Sequence, residues 1–325
     1  MVLELTSADE EGFYNVSERL RRTINTTIIS GVAGTGLFDR TAIDETAEAA
    51  KLLYDAALKE GVRKEEIFIV GSSALYKVKN RDELARKIKE LTGHDMDFVE
   101  KDGEVFYNII GSIPQKYREV ALLLDIGSGN TKIGYLEESS RTVSVEIPYG
   151  TVSFTEKVKK ENPSDKAYVS HLLQVAQKEV SPRLRQESSR KPSLINRKPV
   201  FMVGGIVWAM ATLLYPERQD SFVRLKTEDI DRFYQQVIKK KEAIFNVDLT
   251  KIKDEELKKK AEKQIQSVRD VFTVDNLIAG ATILKTLSRD LKLTGKEIYF
   301  SRNGSCWIWG YIALKGIEKA EEKGR

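Results

Sequence analysis

The chain has few residues that staple or ligate. Of its 325 residues, one is a cysteine, Cys306, and two are histidines, His94 and His171. A lone cysteine excludes an internal disulfide framework and suits a reducing compartment, so a cytoplasmic location is expected. Cys306 sits among apolar residues beside Trp307 and reads as a packed thiol. The two histidines are too isolated to suggest a metal site. Long hydrophobic runs are also missing: the longest apolar stretch, Val200 to Leu214, contains two glycines and is too short to span a bilayer. Acids at Glu4, Asp9, Glu10 and Glu11 interrupt any signal-peptide pattern. Neither sign of charge dominates, with 53 Lys and Arg against 49 acids and a net charge of +4. That excess is too small to argue for a nucleic-acid binder.

The apolar fraction of 41% is enough for real cores, and the length suggests two domains. Asp44 to Glu60 carries a helical apolar face that Gly61 stops, and Glu66 to Val70 reads as a buried strand. Asn80 looks like the N-cap of a helix running to Gly93. Asp97 to Val99 is a short strand, and Val105 to Gly111 is helical. Strand and helix signals in alternation imply parallel pairing through crossovers.

The most informative stretch is Leu122-Leu-Leu-Asp125-Ile-Gly127-Ser128-Gly129-Asn130-Thr131-Lys132. An acid ends a buried strand, a glycine turn follows, and apolar-polar alternation resumes. Such a turn is either an ordinary hairpin or a loop that brings backbone N–H groups to phosphate oxygens, with an acid beside it to hold a divalent cation. Strands at Thr131–Leu136 and Thr142–Pro148 follow, Gly150 closes the meander, and a helix begins near Ser153. Dinucleotide and Walker sites need a glycine loop that opens a helix, so both are unfavoured here. Ser181 to Lys198 is rich in Arg and Lys and reads as an exposed basic loop, or else as a rim that gathers a polyanion. The strand Val200–Val203 leads through Gly204 and Gly205 into a helix, which offers a second backbone contact to a ligand. Asp248 to Ser267 is a solvated helical stretch. Asn276 to Lys285 is a helix with a small residue, Gly280, suited to close packing. Glu297 to Phe300 is the last strand, and Ser301 to Gly304 the turn after it.

In this order the pieces resemble the exopolyphosphatase and guanosine pentaphosphate phosphohydrolase family, of the actin-like, ribonuclease-H-like ATPase superfamily. Val70-Gly-Ser-Ser-Ala74-Leu75 with Asn80 is similar to its Thr-Ser-Ala-x-Arg-x-Ala-x-Asn segment. Asp125-Ile-Gly-Ser-Gly-Asn-Thr131 is similar to its Asp-Ile-Gly-Gly-Gly-Ser-Thr-Glu loop. Ile147-Pro-Tyr-Gly-Thr-Val-Ser-Phe-Thr-Glu156 is similar to its Leu-Pro-x-Gly-x-Val-x-Leu-Thr-Glu segment. Gly204-Gly205, Ile278-Ala-Gly280-Ala and Ser301-x-x-Gly304 fall where later motifs fall.

The resemblance implies an α/β chain of two actin-like domains, with mixed sheets flanked by helices and a ligand cleft between them. Their expected bounds are 1–119 and 120–311, with the C-terminal helix 312–325 returning to the first. It implies removal of a terminal phosphate from inorganic polyphosphate or guanosine pentaphosphate by water, with Mg²⁺. Asp125 would hold the magnesium. The backbone of Gly127, Ser128 and Gly129, the side chains of Asn130, Thr131 and Lys132, and the Gly204-Gly205 turn would meet phosphate. Glu104 would position the attacking water. No membrane partner is expected, and by analogy the assembly is a homodimer.

Three charges depart from the family pattern: Tyr76 stands at an arginine position, Phe106 at another, and Lys132 where a glutamate closes the loop. The family's first strand and phosphate loop have no counterpart before Met1-Val-Leu-Glu-Leu5, and a start at an internal methionine is the expectation. Two functions stay open, a hydrolase and a sensor that binds without cleaving. A sugar kinase of the same superfamily is weaker, because no sugar-binding acid stands out.

Overall fold

The computed structural model describes residues 2–8, 14–20, 22–24, 26–28, 32–138, 141–161, 164, 167–302 and 306–323. Met1, Asn303, Gly304 and the side chain of Cys306 lie outside the described residues, and with them the expectations of an internal start, a final glycine turn and a packed thiol. Close contacts divide the chain into Met1–Glu104 and Val105–Arg325.

In the first unit, β1 (Val2–Ala8) pairs antiparallel with β2 (Tyr14–Leu20). A 20-residue helix, Arg40–Lys59, starts where the Asp39 carboxylate accepts from the amides of Thr41 and Ala42. It ends just before Gly61, at φ +82°. A second helix, Arg81–Thr92, stops at Gly93 in the left-handed region. Leu84 and Ile88 on that helix pack with Ile43 and Ala47 on the first to make the unit's core. β3 (Ile69–Gly71) and β4 (Met96–Phe98) lie parallel, joined through that helix, as the alternating signals predicted. Asn80 does stand at the N-cap position, but its side chain makes no cap bond. It grips Phe38 instead: its carbonyl accepts from Phe38 N and its amide donates to Phe38 O. Holding a remote loop takes both ends of the side chain, so neither is left for the helix terminus.

The second unit is built on a six-stranded sheet of order β7-β6-β5-β8-β10-β9. Its strands are β5 (Leu122–Ile126), β6 (Thr131–Glu137), β7 (Arg141–Ile147), β8 (Val200–Val203), β9 (Phe222–Leu225) and β10 (Ile298–Ser301). β5, β6 and β7 form an antiparallel meander, while β8 and β10 run parallel to β5. This is the mixed sheet expected of a ribonuclease-H-like domain, with β9 added antiparallel at the edge.

Alternation along the strands separates two faces. Leu122, Leu124, Ile133, Val145 and Met202 enter one core, beneath helices Thr151–Lys160, Gly205–Leu214 and Val274–Asp290. Leu123, Leu136, Phe201 and Val203 enter another, with Val105, Ile109 and Ile113. Those three residues belong to helix Lys101–Ser112 and the residue after it. Gly134 sets how closely that helix lies, since a Cβ there would overlap Val105 Cγ1.

Ser181 to Lys198 is not a loop. It forms helices Ser181–Arg190 and Ser193–Asn196, preceded by a widened turn at Ala176–Val180. Val180, Leu184 and Leu194 are fully buried, and those sparse apolar anchors hold the segment against the core while Arg183, Arg185 and Arg190 stay in solvent.

Candidate functional site

The Gly127–Asn130 turn joins β5 to β6, and the Gly127 amide closes it by donating to Asn130 O at 3.0 Å. Its other three carbonyls are engaged by the start of helix Thr151–Lys160. Gly127 O accepts from Thr151 N at 3.0 Å, and Ser128 O accepts from Val152 N and Ser153 N at 2.9 and 3.1 Å. The Ser153 hydroxyl donates to Gly129 O at 2.7 Å and accepts from Gly150 N at 2.8 Å. In a trans peptide the C=O of one residue and the N–H of the next point opposite ways. Three carbonyls facing the helix therefore turn the amides of Ser128, Gly129 and Asn130 away from it. Among the described residues those amides donate to no protein acceptor. Ser128 and Gly129 are exposed. Convergent N–H groups of this kind suit an anion. Gly150 makes the docking possible, because a Cβ there would overlap the Gly127 carbonyl and stand 2.5 Å from the Ser128 carbonyl carbon.

Beside the turn, Asp125, Lys132 and Glu146 are directly opposite one another on β5, β6 and β7. Residues paired this way share one face of the sheet, with Cβ atoms about 4.5–5.5 Å apart. It is the face that carries helix Lys101–Ser112. Asn108, one turn beyond Val105, donates its side-chain amide to Asp125 Oδ2 at 2.8 Å. Asn130 donates likewise to Glu146 Oε1 at 2.9 Å. Asn108 and Lys132 are buried, at 2% and 5% exposure.

The parallel strands β5 and β8 end side by side, with Asp125 opposite Val203. Gly204 follows at φ +100°, and Gly205 begins a helix that has no side-chain cap. Gly280 is wholly a packing residue, as its size predicted: a Cβ there would stand 2.7 Å from Thr151 Cγ2 and 2.8 Å from Ile206 Cδ1. It lets one helix support the first turns of two others, which begin at Thr151 and Gly205. Behind the turn, Tyr149 donates its hydroxyl to Glu179; burial first, then that carboxylate, pushes the phenol up to about 12.

In the first unit, Glu104 is buried, at 5% exposure. It lies in the first turn of helix Lys101–Ser112, and its Oε2 accepts from the Ser73 amide at 2.9 Å. Tyr76, three residues after that amide, donates its hydroxyl to Glu100 at 2.5 Å, with the Arg81 guanidinium 4.0 Å above its ring.

The sequence model of the Ppx/GppA phosphatase family matches residues 7–298. The chain belongs to that family. The Ppx/GppA member of Aquifex aeolicus shares its fold with a TM-score of 0.66 at 18% identity, over 95% of this chain and 92% of that one. An exopolyphosphatase from Cytophaga hutchinsonii gives 0.65 at 13% identity, over 97% and 94%. An exopolyphosphatase-like protein gives 0.64 at 16%, over 93% of each. None of the curated proteins matches the chain. No described helix is long and apolar enough to cross a membrane.

Within the Ppx/GppA fold, the structure redistributes the roles expected around the turn. The Thr131 hydroxyl, expected at phosphate, is fully buried and donates to Tyr149 O at 2.8 Å. Its one proton is engaged, and phosphate accepts only. The Gly127 amide is likewise engaged across the turn, so the Asn130 amide takes its place in the outward set. The Asn130 side chain turns to Glu146, and Lys132 lies inside the sheet face.

Asn108 and Ser153 escaped the sequence reading. Ser153 sits three residues after Gly150, a capping-box spacing that could have revealed it. Asn108 is a polar residue on the apolar Val105–Ile109 stripe, a signal for burial but not for its partner. Nothing local in the sequence points to Glu146.

The Asp125 row offers no direct seat of several protein oxygens for the expected magnesium ion, which would have to be held by this one carboxylate with water and substrate phosphate. Magnesium takes hard oxygen donors in near-octahedral array. One Asp125 oxygen already accepts an N–H, and the next residue in its ladder row is a lysine. Among the described residues, no group of three His, Cys, Asp or Glu could hold a metal ion.

Proposed function

We propose that the chain is an exopolyphosphatase-like phosphohydrolase, acting on inorganic polyphosphate or guanosine pentaphosphate. The observation that supports it most is the set of outward amides at Ser128, Gly129 and Asn130, held by three engaged carbonyls. Fixed donors of this kind bind a terminal phosphate and stabilise charge as it develops, with no reorganisation. The uncapped start of the Gly205 helix, after the same strand ends, adds partial positive charge. In the reaction, water adds to the terminal phosphorus as the bond to the bridging oxygen breaks, and orthophosphate leaves. Glu104 takes the proton from that water. Its anchoring by the Ser73 amide fixes one carboxylate oxygen and so orients the other. General-base help of this kind is worth roughly 10²–10⁴-fold.

A phosphate-release assay on medium-chain polyphosphate tests this reading, with Glu104→Ala beside wild type. Release that falls by about 10²-fold or more in the variant supports it. A second reading, binding without cleavage, is favoured by the lysine at 132 and the amide already on Asp125. Calorimetric binding of polyphosphate by wild type without any release would select it. Neither binding nor release would overturn both.

A further inference from the structure

We propose that Lys132 takes the place of a divalent cation, so that a polyphosphate binds the Ser128–Asn130 amides without metal. This deepens the anion-binding reading above and rests on it. Lys132 is two residues past Asn130, the last residue of the turn, in a ladder row with a carboxylate on each side: Asp125 on β5 and Glu146 on β7. Each carboxylate is oriented by an amide from elsewhere, Asp125 by Asn108 and Glu146 by Asn130. Asn130 therefore links this row directly to the turn whose amide it also contributes. The lysine is nearly buried, at 5% exposure, so its charge is screened little by salt. An acid at 132 would set three carboxylates side by side on neighbouring strands, and like charges directly opposite are destabilising. Such a row would draw in a divalent ion. With lysine between two carboxylates the row carries one net negative charge, the same as three carboxylates with a bound divalent ion would carry, so the metal is not needed to reach that balance.

The test is calorimetric titration of the full chain with tripolyphosphate, in EDTA and in excess Mg²⁺. Wild type should bind in both, with affinities within about threefold, because the cation is built in. Lys132→Glu should lose about tenfold or more in EDTA and recover with Mg²⁺. If that variant does not fold, Mn²⁺ titration of wild type followed by electron paramagnetic resonance decides the same question. No tight site per chain is expected. Binding of tripolyphosphate only with Mg²⁺, or one tightly held Mn²⁺ per wild-type chain, overturns the inference and leaves anion binding standing. Absence of binding in both buffers overturns the anion-binding reading, and the inference with it.

Discussion

Gly204 and Ile126 are in backbone contact: a Cβ at position 204 would overlap the Ile126 carbonyl oxygen and stand 2.8 Å from its carbonyl carbon. This contact joins the end of β5 to the first residue after β8, and so ties the glycine turn to the helix that begins at Gly205. Gly204 also holds φ +100° and ψ 164°, a region that only glycine occupies readily. Gly204→Ala should cost at least about 1–3 kcal/mol in strain, before the overlap is counted. A urea melt of variant and wild type reads this directly.

Ser153 serves both as cap and as brace. Ser153→Ala removes the donor to Gly129 O and the acceptor for Gly150 N. A cap of this kind contributes about 0.5–2 kcal/mol to stability. Because the same hydroxyl orients the turn, tripolyphosphate affinity should drop about tenfold or more in calorimetry. Thr131→Val makes the contrast. It should cost about 1 kcal/mol in the urea melt through the bond to Tyr149 O, and leave affinity nearly unchanged.

Asn108→Ala leaves the Asp125 carboxylate without the amide at its Oδ2. Hydrogen bonds to charged groups are worth about 1.5–3 kcal/mol, and a loss of that order is expected by urea denaturation. Asn108→Asp should be worse at neutral pH, since two carboxylates would then face each other in a buried place.

Lys296 predicts a pH dependence. Burial, followed by the charge of Lys198, lowers its ammonium from 10.5 to about 8 in the folded chain. Between those values the unfolded chain holds the proton and the folded chain does not, so stability rises with pH across that window. Below about 8 both states are protonated, and the cost of the half-buried charge is present in full. Wild type should therefore gain stability from pH 8 to pH 10 relative to Lys296→Met, measured by urea melts at each pH.

Much of the scaffold was legible because it rests on short-range patterns. Gly61 and Gly93 stop their helices as their backbone freedom requires, and the three strands of the meander fall where alternation put them. The segment after Ser181 was misread because its charges outnumber its apolar residues. Yet three buried side chains at Val180, Leu184 and Leu194 were enough to fold it. At the candidate site, the turn itself was visible, but the partner of each of its polar groups was not. Thr131 looks like a ligand in sequence and acts as a brace, because Tyr149 comes within reach only once β6 and β7 pair.

The glycine turn, the strand before it and the order of motifs along the chain follow from the sequence alone, since φ/ψ preference and residue alternation are local. The direction in which the turn presents its amides does not. It depends on helix Thr151–Lys160 capturing three carbonyls from residues more than twenty positions earlier. Likewise, sequence places Asp125, Lys132 and Glu146 far apart or merely near, and strand register alone puts a lysine between two carboxylates. A register shift of one residue would send that lysine to the opposite face of the sheet.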